Sequence, residues 1–118
     1  MERMCTVNHA ESVSLFNGDS GSLHTNLGAT GDITISLPSS PTVGTNFTFS
    51  VQTEVGDFYK LIIALANSSH QIISSVEPSV GQSIWADARS EVITLRFDGD
   101  YSWLAISVGF NHLWTVLT

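Results

Sequence analysis

The chain has 118 residues, of which 42% are hydrophobic and 13% charged, and its formal net charge is -7 at pH 7. That length predicts one domain with a buried core, and the sparse charge is typical of proteins that cover part of their surface in an assembly. The four cations, Arg3, Lys60, Arg89 and Arg96, are scattered, so we expect no nucleic-acid partner, because the phosphate backbone requires clustered Lys and Arg. The longest apolar run, residues 61–66, is far shorter than the roughly 20 residues that cross a bilayer, and no membrane partner is expected.

The N-terminal segment, residues 1–11, shows no hydrophobic periodicity and no helix cap, and we predict an arm ahead of a β-domain over residues 12–118. The segment has no apolar run of the kind found in a signal peptide, which predicts a soluble protein made in a cytoplasm. Cys5 is the only cysteine, so an intrachain disulfide and a zinc site built on several thiolates are excluded.

Short runs of alternating polar and apolar residues follow this arm. The clearest is residues 32–37, in which Ile33, Ile35 and Leu37 share one face and Pro38 ends the strand. Turn residues separate the runs from one another. The predicted strands cover residues 13–15, 23–25, 32–37, 46–52, 58–66, 71–76, 83–85, 91–97, 101–108 and 113–117.

Nine or ten short strands at this spacing are typical of an all-β fold, and we predict a single antiparallel β-sandwich or barrel, either jelly-roll-like or tulip-like. Residues 98–100, Asp-Gly-Asp, form a favoured hairpin turn. Residues 101–108 and 113–117 are expected to form the last hairpin. Residues 58–66 also fit one short helix, but the flanking turns and the missing N-cap favour a central strand.

No pattern of catalytic or metal-binding residues stands out, and we predict a protein that is not an enzyme and has no cofactor. His9, His24, His70 and His112 have no metal-ligand spacing and lie beside turn residues, although a threefold axis would gather copies of any one of them. Residues 18–21, Gly-Asp-Ser-Gly, match a serine-protease sequence, but the chain is too short for a two-domain protease barrel, so we expect a turn.

The large aromatic residues have two interpretations. Trp103, Phe110 and Trp114 are expected in the core or in an oligomer interface, where aromatic side chains dominate the energetics of burial. Alternatively, Trp85 or Tyr101 is exposed and stacks on a glycan. The sequence favours the core or interface.

Several short segments follow one another in a characteristic order along the chain. These are residues 19–21 before a short strand, residues 26–29, a strand ending at Leu37-Pro38, Gly44 ahead of an aromatic strand over 46–51, an apolar strand over 60–65, Gly81, residues 92–95, Trp103, and Gly109 with Trp114. In this order, residues 19–118 resemble a β-rich module of bacteriophage virion proteins. The module occurs in capsid decoration (head cement) proteins and in tail-fibre segments.

The resemblance implies a non-enzymatic structural protein of the virion. It implies a homotrimer on the capsid surface, made in the host cytoplasm, that binds the major capsid protein and stabilises the phage head. No functional residue of the family transfers to this chain. The arm, residues 1–11, lies outside the resemblance, and we expect it to contact the capsid. The alternative is a tail-fibre or head-fibre tip that binds a host receptor or glycan, but the chain has no long repetitive shaft.

Overall fold

A computed structural model of the chain describes residues 5–54, 56–74, 80–108 and 114–117. These residues form twelve β-strands and a 3₁₀ helix over Asn17–Asp19, and the strands lie in two sheets that pack face to face. The all-β prediction is therefore confirmed. The strands are β1 (Thr6–Asn8), β2 (Val13–Ser14), β3 (Leu23–Thr25), β4 (Ile33–Leu37), β5 (Asn46–Ser50), β6 (Leu61–Leu65), β7 (Gln71–Ile73), β8 (Val80–Gly81), β9 (Ser83–Ala86), β10 (Val92–Phe97), β11 (Ser102–Val108) and β12 (Thr115–Leu117).

The described strands outnumber the nine or ten expected because β1 and β8 are too short to show an alternating pattern. β1 lies inside the segment predicted as an arm and pairs in parallel with β3. Leu23 N donates a hydrogen bond to the Cys5 carbonyl over 2.8 Å, and His9 N donates to the Thr25 carbonyl over 2.9 Å. This part of the predicted arm is thus an edge strand of a sheet.

The first half of the chain winds back and forth between the two sheets. The seven-stranded sheet has the order β1-β3-β5-β10-β11-β7-β8, and the five-stranded sheet has the order β12-β9-β6-β4-β2. From β1 to β6 the chain changes sheet after every strand, so odd-numbered strands pair in parallel in one sheet and even-numbered strands in the other. The result is a flattened spiral with its open edge at β1 and β2.

The predicted antiparallel pairing is found mainly in the second half. β10 lies antiparallel between β5 and β11, as the turn at residues 98–100 predicts, and β9 lies antiparallel between β6 and β12. The expected last hairpin is wrong, because β11 belongs to the seven-stranded sheet and β12 to the five-stranded sheet. Alternation in a sequence identifies a strand but not its neighbour, and here the neighbours are set by crossings between sheets.

The core lies between the inward faces of the two sheets. The predicted alternation of β4 is confirmed, since Ile33, Ile35 and Leu37 are buried. β6 is confirmed as a strand at the centre of its sheet, between β4 and β9. On the opposite sheet Phe47 is fully buried and stacks on Trp103, with ring centroids 6.1 Å apart. Each such side chain contributes about 1.5–3 kcal/mol through removal of its apolar surface from water.

The two sheets come closest where β8, β9 and β12 meet. Gln82 N donates to the Leu117 carbonyl over 2.7 Å at this point. A Cβ atom on Gly81 would lie 2.3 Å from Val116 Cγ1 and 2.5 Å from the Leu117 carbonyl oxygen. Glycine is therefore required here for close approach of the backbone.

We expect Gly81→Ala to lower the free energy of unfolding by about 1–3 kcal/mol, because the added methyl group overpacks the junction. Gly18→Ala is the matched control, since a Cβ there meets nothing within 4 Å. The control should change stability by less than about 1 kcal/mol. Urea denaturation of both variants measures the difference, and equal midpoints would contradict the close approach.

Candidate interaction surface

The outward-facing side chains of the five-stranded sheet form a continuous surface, here named the outer face. Along each strand these residues alternate with residues that point into the core. The register between strands aligns the outward-facing residues in two rows. One row is Thr34, Ile62, Trp85 and Thr115; the other is Ser14, Ser36, Ala64, Ser83 and Leu117. The surface thus combines small hydroxyl side chains with three larger apolar ones.

None of the nine residues of the outer face is charged. The acidic residues among the described parts of the chain all lie outside the β-strands, in turns, loops and the 3₁₀ helix. They are Glu11, Asp19, Asp32, Glu54, Asp57, Asp87, Glu91, Asp98 and Asp100. The strands of the outer face therefore carry no acidic residue, and the nearest acids, Asp32 and Asp87, lie at its margin, two positions from Thr34 and Trp85.

Trp85 lies in the middle of one row of the outer face and is half-buried. Lys60 Nζ lies 4.3 Å from the centre of its ring, a cation–π contact. The backbone of Lys60 is itself fixed by a hydrogen bond, because Lys60 N donates to Asp32 Oδ1 over 2.7 Å. Lys60 therefore covers part of the ring surface that a stacked sugar would need.

Tyr101, the other residue proposed for glycan stacking, lies in the turn between β10 and β11. Its side chain is 64% exposed, and its backbone has a φ of 58°, which is uncommon for a residue with a side chain. The Tyr101 ring lies 6.0 Å from the His70 ring. The turn that carries Tyr101 joins two strands of the seven-stranded sheet, whereas Trp85 lies in the five-stranded sheet, so the structure does not place them on one sheet face.

Of the three residues predicted for the core or an interface, the structure describes two, and both lie in the core. Trp103 is 0% exposed and Trp114 is 2% exposed, so both lie in the core of a single chain. Trp103 lies in β11 of the seven-stranded sheet, whereas Trp114 directly precedes β12 of the five-stranded sheet. Phe110 lies outside the described residues. The sequence analysis missed the outer face, whose signal is the scarcity of charged residues within the strands.

A second cluster joins the edge strand β1 to β3. His9 Nε2 lies 2.8 Å from His24 Nδ1, and the two rings stack with centroids 5.1 Å apart. We name these residues the histidine pair. His24 Nε2 lies 2.6 Å from Ser22 Oγ, and Ser22 Oγ donates to the Asp19 carbonyl. His9 and His24 are fifteen residues apart, and only parallel pairing of β1 and β3 brings them together.

The directions of these hydrogen bonds follow from the number of protons. Ser22 has one hydroxyl proton, which goes to the Asp19 carbonyl, so His24 Nε2–H donates to Ser22 Oγ. His24 Nδ1 then accepts from His9 Nε2–H. In this arrangement His24 does not take the proton of Ser22, so the cluster is a structural hydrogen-bond chain without an activated nucleophile.

Burial lowers the pKa of both imidazoles of the histidine pair. For His24 the desolvation is the largest cause and the neighbouring charge of His9 adds to it, while Asp19 acts in the opposite direction. For His9 burial also lowers the pKa and Asp19 opposes it. Burial therefore favours the neutral form of both rings.

The described residues contain no group of three or more His, Cys, Asp or Glu side chains that could hold a metal ion. Asp98 acts as a turn former, since its Oδ1 accepts a hydrogen bond from Asp100 N over 3.1 Å. Within the same part of the chain, no helix is long and apolar enough to cross a membrane. The sequence matches no model of a known protein family, and no curated protein is significantly similar to it.

Truncation of Trp103 and Trp85 distinguishes a core residue from a surface residue. We expect Trp103→Ala to cost about 3–5 kcal/mol, because it leaves a cavity in the core. Trp85→Ala should cost only about 1 kcal/mol, through loss of the contact with Lys60 and of partial burial. Chemical denaturation at low protein concentration measures both costs. A larger loss for Trp85→Ala would contradict the assignment of the two residues.

Proposed function

We propose that this protein is a non-enzymatic structural protein of a bacteriophage virion, a homotrimer that decorates the capsid surface and stabilises the head. The observation that carries the proposal is the outer face, none of whose nine residues is charged, on a chain with a net charge of -7. A surface built from uncharged side chains is suited to subunit contact, while acidic turns keep the assembled particle soluble. The resemblance to capsid decoration proteins supports the trimeric state and the capsid as partner.

The subunit contact in this proposal is made by the outer face. Ile62, Trp85 and Leu117 supply the apolar area, and Leu117 is 47% exposed in the single chain. The serine and threonine side chains between them allow two surfaces to approach closely and to exchange hydrogen bonds. Such a mixture of apolar and small polar residues is typical of interfaces between proteins that also fold alone.

The capsid contact in this proposal is made by the N-terminal segment. The Cys5 carbonyl and the His9 N–H face β3, so the alternation of a parallel ladder directs the backbone groups of Thr6 and Asn8 away from the sheet. An edge of this kind can accept a strand from a partner protein. A protein that binds only the assembled shell stabilises the shell by mass action.

The second candidate is a fibre-tip module that binds a host receptor or glycan. The exposed ring of Tyr101 at the tip of the β10–β11 turn favours it. Binding to a glycan array that Tyr101→Ala abolishes would select this function over capsid decoration.

The oligomeric state tests the outer face directly. We expect the wild-type chain to have the mass of a trimer by light scattering, and Leu117→Glu to shift it to a monomer, because a buried unpaired carboxylate is costly. Leu27→Glu is the matched control, since Leu27 is 44% exposed, lies outside the outer face and gives the same change of charge. A monomeric wild type, or dissociation by both variants alike, would contradict the proposed interface.

Co-sedimentation with expanded phage capsids that lack a decoration protein tests the proposed partner. We expect saturable binding by the trimer, and loss of binding without loss of the trimer when residues 1–8 are deleted. A trimer that ignores capsids would remove the decoration function and leave the fibre-tip module. A monomer that binds neither capsids nor glycans would contradict both.

A further inference from the structure

The edge strand β1 is only three residues long, and its attachment to β3 depends on a side-chain contact that involves titratable groups. We propose that the histidine pair is an acid-sensitive latch, which holds β1 on the seven-stranded sheet at neutral pH and releases it in mild acid. The latch acts whatever the partner is, and it makes the open edge of the fold a regulated, detachable element.

The geometry of the histidine pair allows only one proton between the two rings. At 2.8 Å, His9 Nε2 and His24 Nδ1 form a hydrogen bond in which one nitrogen donates and the other accepts. When His9 alone gains a proton, its Nε2–H still donates to His24 Nδ1 and the bond survives. When both rings are protonated, two N–H groups and two positive charges oppose each other, so the contact must open.

The surroundings offer His24 little compensation for a positive charge. His24 is 1% exposed, and its ring lies 5.8 Å from the Phe47 ring and 5.9 Å from the Phe49 ring. The strands packed around it, β1, β3 and β5, contain no other titratable residue. Asp19 is the acid that acts on both rings, and its Oδ2 already accepts a hydrogen bond from Phe16 N over 2.9 Å.

The sign of the pH dependence follows from comparing the attached and released states. The released imidazoles have the ordinary pKa of about 6.5, whereas burial lowers both pKa values in the attached state. The released state therefore binds more protons, and attachment is fully stable above about pH 6.5 and weakens as pH falls below it. Cys5, just before β1, and Glu11, two residues after His9, are the other titratable groups next to this strand.

Hydrogen exchange by NMR on the full chain reports the release. The Leu23 amide donates to Cys5 across the β1–β3 ladder, and the Ile33 amide donates to Lys60 in the other sheet and serves as an internal reference. Protection factors corrected for intrinsic rates are compared between about pH 7.5 and about pH 5, which bracket the ordinary pKa of imidazole. We expect Leu23 protection to fall by about tenfold or more, with Ile33 protection nearly constant, because only the attached state is linked to the protons.

His9→Gln separates the latch from general acid effects. Glutamine retains an amide N–H for His24 Nδ1 but does not titrate, so most of the pH dependence of Leu23 protection should disappear. His70→Gln is the matched control, since His70 is buried against Phe97 in another part of the sheet, and it should retain the full dependence. In the wild-type chain, the ring nitrogen shifts of His9 and His24 should titrate as a coupled pair.

Four results would overturn the latch. Leu23 protection that does not change with pH would show that the histidine pair does not control β1. A fall in Leu23 and Ile33 protection together would indicate loss of the whole fold in place of a local release. An undiminished pH dependence in His9→Gln, or independent titration of the two rings, would assign the effect to other groups.

Discussion

Strand β5 is the element on which both halves of the fold depend. It pairs in parallel with β3 of the wound N-terminal half and antiparallel with β10 of the C-terminal half. Its inward side chains make the same connection in the core, because Phe47 contacts His24 on one side and Trp103 on the other. Loss of this strand would separate the two halves within the seven-stranded sheet, leaving only β6 to join them in the other sheet, and would expose the aromatic residues that it packs against.

The strands themselves could be predicted from the sequence because alternation is a local signal. The inward residues Ile33, Ile35 and Leu37 follow directly from it, as does the turn at residues 98–100 between β10 and β11. The parallel pairing could not be predicted, since partners such as Val7 and His24 belong to consecutive turns of the spiral. Pairing over such distances depends on which sheet each strand joins, and alternation carries no information on that choice.

The candidate surface could be predicted only in part, because it too depends on how the strands pair. Trp103 and Trp114 are the largest residues near the C-terminus, and their size made both a core and an interface plausible; in the structure both lie in the core. The outer face consists of modest residues such as Thr34, Ala64 and Ser83, none of which is conspicuous alone. Register places them side by side, and only then does the lack of charge become a property of a surface.

The spiral also limits how far a release of β1 can spread. After the histidine pair, residues 12–15 bind to β4 of the five-stranded sheet. Thr34 N donates to Ser12 Oγ and Leu15 N donates to the Ser36 carbonyl, each over 2.9 Å. Leu15 is 4% exposed and anchors this return strand in the core. No titratable side chain takes part in these contacts, so mild acid leaves them intact. The N-terminal edge and the outer face are therefore anchored separately, and under the proposed function the latch would release the capsid contact while the contact between subunits stays in place.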